Sequence, residues 1–252
     1  MPTTRIQVCG RIAIELEGLR LESGLARRQS RLLFVYLVLN RSRLVARDEL
    51  TTAIWPEEAP PTAEGSLRVL ISRLRRLLGA QAIEGRSELR LVLPTDAWID
   101  VEAAARRVHE AEAAVHTRDW SRVAAAATVA FTISDRGFLP GETAPWVVER
   151  QRWLEDVRVR ALECDGEARL GIGGSEIAAA ERVARRVIVL APYRESGYRL
   201  LMEALARRGN TAEALLVYEH LRQLLKEELG TAPSAASRTL HRRLLAGSTD
   251  PG

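Results

Sequence analysis

Four arginines in the stretch TAEGSLRVLISRLRRLL, residues 62–78, are the densest set of hydrogen-bond forks in the chain whose spacing points at one target. A guanidinium can grip the O6/N7 edge of a guanine with two parallel bonds, or clasp a phosphate. At about 100° per residue, Arg68, Val69, Ser72, Arg73 and Arg76 share one side of a helix, with Arg75 on its flank. Leu67, Leu70, Ile71, Leu74, Leu77 and Leu78 form a continuous apolar stripe on the other side. No acidic residue follows Glu64 before the helix ends. Pro60-Pro61-Thr62 supplies a start, with Thr62 as a cap, and Gly79 supplies the stop. Such a helix can enter a DNA major groove, and it can equally be a solvated basic face on an ordinary surface helix. Its surroundings must decide.

Other chemistry is poorly supplied. No Ser/His/Asp or Cys/His arrangement is suggested, the four histidines are scattered, and Cys9 and Cys164 match neither a disulfide framework nor a metal-ligand spacing. Gly171-Ile172-Gly173-Gly174 precedes a helix but lacks the GK[ST] ending of a phosphate-binding loop, so it reads as a turn between helices. Acidic pairs such as Glu227-Glu228 lie on exposed helix faces, and Trp98, Trp120, Trp146 and Trp153 read as packing between helices. The expectation is therefore no enzyme, no catalytic residue, no metal and no cofactor. No run approaches the roughly 18 apolar residues of a membrane span, and MPTTRIQVCG lacks the features of a signal peptide. A cytoplasmic protein without membrane contact is expected, nucleoid-associated when bound to DNA.

Charge separates the chain into two parts. Residues 1–95 hold 15 Arg against 10 Asp and Glu, a net +5, whereas 96–252 hold 22 basic and 23 acidic residues, a net −1. Only the first part has the excess that a polyanion partner calls for. Along it, residues 4–22 alternate as a small antiparallel sheet, with turns at Gly10 and Gly18. Arg27–Asn40 is an apolar helix whose Arg27, Arg28 and Arg31 sit at the end where the helix dipole disfavours them. An external anion or plain solvation would account for them. Arg47–Trp55 is a short helix with Leu50, Ala53 and Ile54 inward, ended by Pro56. Residues 82–94 form a hairpin around Glu84-Gly85-Arg86-Ser87.

Two helices, a basic helix and a hairpin make a winged helix-turn-helix. The stretch LTTAIWPEEAPPTAEGSLRVLISRLRRLLG resembles the core of an OmpR-type winged-helix domain, which carries an N-terminal four-stranded sheet. By position, the resemblance implies that Arg68, Val69 and Arg73 approach base edges. It places Ser66, Ser72, Arg75 and Arg76 nearer phosphates, and Arg86 on the wing in the minor groove. Two departures stand out. The wing has Glu88-Leu89 where the family commonly has Gly-Tyr, and Ala46 stands where a capping Ser or Thr often precedes the second helix.

From Ala97 the sequence is helical almost throughout, with a first helix opening at Trp98-Ile99-Asp100. Further helices are expected at Asp119–Ile133, from Pro145 to about Gly171, and over 175–190, 194–208, 211–229 and 234–246. Starts at Ser175 and Thr211 approximate the helix-hairpin repeat of tetratricopeptide (TPR) arrays, which bind proteins or peptides more often than they do chemistry. GYRLLMEALARRGNTAEALLVYEHLRQLLKEELGTAPSAASRTLHRRLL is similar to the end of the bacterial transcriptional activation domain. Following an OmpR-type winged helix, it identifies the chain as a member of the Streptomyces antibiotic regulatory protein (SARP) family, in its small two-domain form. The fold expected is an α+β winged helix-turn-helix domain, 1–95, followed by an all-α TPR-like domain, 96–252.

What the resemblance implies is an activator that binds direct repeats in double-stranded DNA near promoters, as a dimer on DNA. It would recruit RNA polymerase, including its σ subunit, at specialised-metabolite clusters. With no acidic phospho-acceptor domain before the winged helix and no ATPase or phosphopeptide-binding domain after it in this sequence, a two-component response regulator is not expected. Two other readings stay open: a protein-interaction scaffold whose basic helix is merely solvated, and a ligand-gated sensor with a small-molecule site in the helical array.

Overall fold

The computed structural model describes residues 4–247. These divide into two compact units that interleave in sequence: 4–103 with 136–154, and 104–135 with 155–247. The sequence reading divides the chain once, near residue 95. Compactness brings a later segment back to the first unit.

In the first unit, β1 (Thr4–Gln7), β2 (Ala13–Leu16) and β3 (Leu19–Arg20) form the expected antiparallel run, with Ile6 opposite Ile14. The fourth strand was not expected where it lies. Trp98-Ile99, taken as the opening of a helix, is β7 and pairs parallel to β1, giving the order β3-β2-β1-β7. The helix begins one residue later, at Asp100. Asp100 is fully buried and accepts hydrogen bonds from the backbone N–H of Val8 (2.9 Å), Cys9 (2.9 Å) and Val101 (2.7 Å). One carboxylate at the first position of the helix thus holds the end of β1. Burial raises its pKa, with the three N–H bonds acting against that.

Then come α1 (Arg28–Leu39), β4 (Val45–Ala46), α2 (Arg47–Ile54), α3 (Ala63–Leu78), β5 (Ile83–Glu84) and β6 (Glu88–Leu91). The two-residue β4 joins the hairpin in a second sheet of order β4-β6-β5. Leu32, Leu33 and Phe34 of α1, Leu50 and Ile54 of α2, and Leu67, Leu70, Ile71 and Leu74 of α3 are buried. At about 1.5–3 kcal/mol for each large side chain, this apolar stripe fixes which side of α3 faces outward. The expected Thr62 cap does not form, because its side chain makes no capping bond. A turn instead closes the entry, with Ala63 N–H donating to Pro60 C=O at 2.8 Å.

The segment 136–154 completes this unit. Gly10 N–H donates to Gly137 C=O at 2.7 Å, and Leu139 N–H to Val8 C=O at 3.2 Å. Trp146 packs edge-on against Tyr36, with centroids 5.1 Å apart, and its indole N–H donates to Ala53 C=O at 3.0 Å. Glu142, 9% exposed, accepts from Arg28 (2.7 Å) and Arg31 (3.2 Å). The anion facing those α1 arginines is therefore internal, and neither an outside ion nor solvation is needed to account for them.

The second unit is helical: α4 (Asp100–Thr117, from 104), α5 (Trp120–Ser134), α6 (Pro145–Ile172, from 155), α7 (Ile177–Leu190), α8 (Glu195–Arg207), α9 (Thr211–Leu229) and α10 (Ala235–Gly247). Helices α7 to α9 pack in succession and α10 closes against α8 and α9, a TPR-like arrangement. Asp119 caps α5 through its bond from the Arg122 N–H. Gly171 is the seat of the Trp120 ring, since a Cβ there would lie 2.2 Å from it, and Gly173 and Gly174 turn the chain with positive φ. The glycine-rich stretch is thus a turn between helices. Burial pushes the Cys164 thiol up to about 12 and raises that of Cys9 as well, so both stay protonated.

Candidate nucleic-acid interface

Helix α3 presents its face as its sequence pattern requires. Arg68, Ser72, Arg73 and Arg76 are exposed, Val69 is 49% exposed, and Ser66 is half-buried beside them. Arg68 meets Glu64 one turn back at 3.4 Å, with both side chains more than 70% exposed. A pair so hydrated contributes little, so Arg68 is released at small cost. Arg73 and Arg76 donate to no protein group among the described residues. Two unpaired guanidinium groups and a bare valine therefore stand in one row, the chemistry needed for guanine edges, phosphates and a thymine methyl.

Arg75 is different. The resemblance puts it near a phosphate, but its Nε donates to Ile83 C=O (3.1 Å) and its Nη2 to Gly85 C=O (2.8 Å). It braces the hairpin against the end of α3. Gly85 makes the tight tip possible: its φ is +90°, and a Cβ would lie 1.9 Å from the Glu88 carbonyl oxygen. Arg86 projects from that tip, exposed and with no side-chain partner among the described residues. Its backbone carbonyl accepts from Arg47 Nε.

The wing is not itself electropositive. Glu84 and Arg90 are cross-strand partners at 2.7 Å, and Glu88 is exposed. Leu89, in place of the family's usual aromatic, is fully buried and contributes only to the core.

Two contributors escaped the sequence reading, the Arg75 brace and the Arg47 bond to the wing backbone. Both join residues whose spacing carries no periodic signal, and the flank position that the wheel gives Arg75 does not reveal its partner on the hairpin. Among the described residues no cluster of His, Cys, Asp and Glu is arranged to hold a metal ion, and no helix is long and apolar enough to cross a membrane.

Comparison with known proteins bears on the family and the fold. Residues 22–89 match the profile of the C-terminal domain of transcriptional regulatory proteins, and residues 99–245 that of the bacterial transcriptional activator domain. Across 96% of its length the chain is 32% identical to the regulatory protein AfsR of Streptomyces coelicolor, spanning 24% of that protein. Across 94% of its length it is 29% identical to the transcriptional regulatory protein EmbR of Mycobacterium tuberculosis, spanning 62% of it. The structure of M. tuberculosis EmbR in complex with a low-affinity phosphopeptide superposes with a TM-score of 0.84 over 97% of this chain and 65% of that one, at 23% identity. That likeness supports the fold, an α+β winged helix followed by a TPR-like helical domain. With an OmpR-type winged helix in front and the activator-domain profile matched over more than half of its length, the chain belongs to the bacterial transcriptional activator domain family, in the arrangement of the SARP regulators.

Proposed function

We propose that this protein is a sequence-specific DNA-binding transcriptional activator. Its winged helix reads promoter direct repeats through the outward face of α3, with two protomers side by side on the DNA. Arg68, Val69 and Arg73 meet base edges, Ser66, Ser72 and Arg76 meet phosphates, and Arg86 reaches the minor groove from the wing. Arg75 acts by holding that wing in place. The helical domain engages RNA polymerase, including its σ subunit, and the target promoters belong to specialised-metabolite gene clusters, a reading supported by the likeness to AfsR. The observation that carries DNA binding is the row of Arg73 and Arg76, exposed on α3 and without a protein partner.

Selection from a randomised duplex pool, followed by footprinting on genomic DNA, tests the proposal. Discrete protected sites with a repeated half-site are expected, and uniform weak protection would favour the scaffold. Arg73→Ala should cost about 1–3 kcal/mol at the selected site and relax preference at one base pair. An unchanged site and affinity would rule out this face as the reader. With purified polymerase holoenzyme, added protein should raise transcript from a promoter carrying the site.

A further inference from the structure

The start of α3 borders a groove of about 480 Å3 whose other wall is the start of α1. Arg27, Thr62, Ser66 and Arg73 are among the residues that line it. Neither arginine donates to a protein group among the described residues. Their neighbours Arg28 and Arg31, by contrast, are both occupied by Glu142.

A second observation is independent of charge. Gly65 lines the same groove inside the first turn of α3, and a Cβ built there meets nothing within 4 Å. Glycine is the poorest helix former after proline, so a helical glycine normally has a packing reason. Three other helical glycines have one, whereas Gly247, the last residue of α10, meets nothing within 4 Å. A Cβ at Gly166 would lie 3.0 Å from Leu200, at Gly171 2.2 Å from Trp120, and at Gly197 2.8 Å from Val187. Nothing inside the protein asks for a glycine at 65.

We propose that this groove seats a phosphodiester of the DNA backbone, with Arg27 as a second cation lining it beside Arg73 and Gly65 kept bare so that the strand can approach α3 closely. The inference rests on the DNA-binding reading above and extends the interface from α3 onto the start of α1. It separates three adjacent arginines by role: Arg27 contacts DNA, while Arg28 and Arg31 hold the fold together through Glu142.

The test titrates the full chain against a labelled GC-rich duplex of about 40 base pairs and mixed sequence over a range of salt concentrations. Arg27→Ala should bind about tenfold more weakly near 0.1 M salt, with the salt slope reduced by about one. Gly65→Ala should bind more weakly while its melting temperature equals or exceeds that of the parent, because alanine favours the helix and has room there. Arg73→Ala is measured alongside. If Arg73→Ala binds weakly but either Arg27→Ala or Gly65→Ala binds like the parent, the groove is not a phosphate seat. If Arg73→Ala also binds like the parent, this face of α3 is not the DNA contact and the groove proposal falls with it; if the parent itself does not bind the duplex, the DNA-binding reading fails.

Discussion

Helices α3 and α7 look alike as sequences. Each is amphipathic and carries arginines away from its buried side: Arg68, Arg73 and Arg76, with Arg75 on the flank, in one, and Arg182, Arg185 and Arg186 in the other. Their surroundings differ. In α7, Arg185 bonds Glu181 (3.0 Å) and Glu213 (2.9 Å), and Arg186 bonds Asp135 (2.9 Å) while lying 4.5 Å from the centre of the Phe131 ring. In α3, Arg73 and Arg76 meet no acid, and Arg68 has only the loose contact with Glu64. A basic helix face becomes a candidate binding surface only when its surroundings fail to neutralise it, and the neutralising acids here are Glu181 on α7 itself, Glu213 on α9 and Asp135 just after α5.

The comparison can be broken most sharply by charge reversal. Arg73→Glu combined with Arg76→Glu should weaken duplex binding by more than about a hundredfold near 0.1 M salt, with the melting temperature little changed. A loss below tenfold would make the two faces equivalent. The corresponding neutralisation on α7, Arg185→Ala with Arg186→Ala, should leave duplex affinity within about twofold. It should instead cost about 1 kcal/mol of stability, since its ion pairs are largely exposed. A smaller effect concerns pH. Burial alone would raise the Glu181 carboxyl, but hydrogen bonds from Arg185 and Arg208 outweigh it and hold the group below the usual carboxylate range. Because its folded pKa is depressed, the stability it supplies is full above the ordinary Glu value of about 4.3 and is lost as pH falls through the folded value. Melting curves between about pH 3 and 7 should therefore show a smaller acid-side drop for Glu181→Gln than for the parent.

Local patterns carried the reading of α3. The spacing of Leu67, Leu70, Ile71 and Leu74 orients the helix without reference to anything distant, and the Gly85 turn identifies the wing from four residues. What the sequence hid is what distant residues do. Strands β4 and β7 have two residues each, too short for alternation to register, and β7 is recognisable only beside β1. Glu142 meets Arg28 and Arg31 across separations of 114 and 111 residues. The helical wheel sets Arg75 only on the flank of the face that holds Arg76, yet one is tied to the hairpin carbonyls and the other is free of protein partners among the described residues. The candidate surface was thus legible residue by residue, while the division of labour among its arginines was not.

The return of residues 136–154 to the first unit bears on how the protein can be dissected. A fragment ending at residue 95, where the sequence invites a cut, would lose β7 from the edge of the first sheet and the Asp100 carboxylate that secures β1. It would also strip Trp146 from Tyr36 and leave Arg28 and Arg31 without their counter-ion. The winged helix is therefore not a detachable cassette, and a DNA-binding fragment faithful to the parent must extend at least to residue 154.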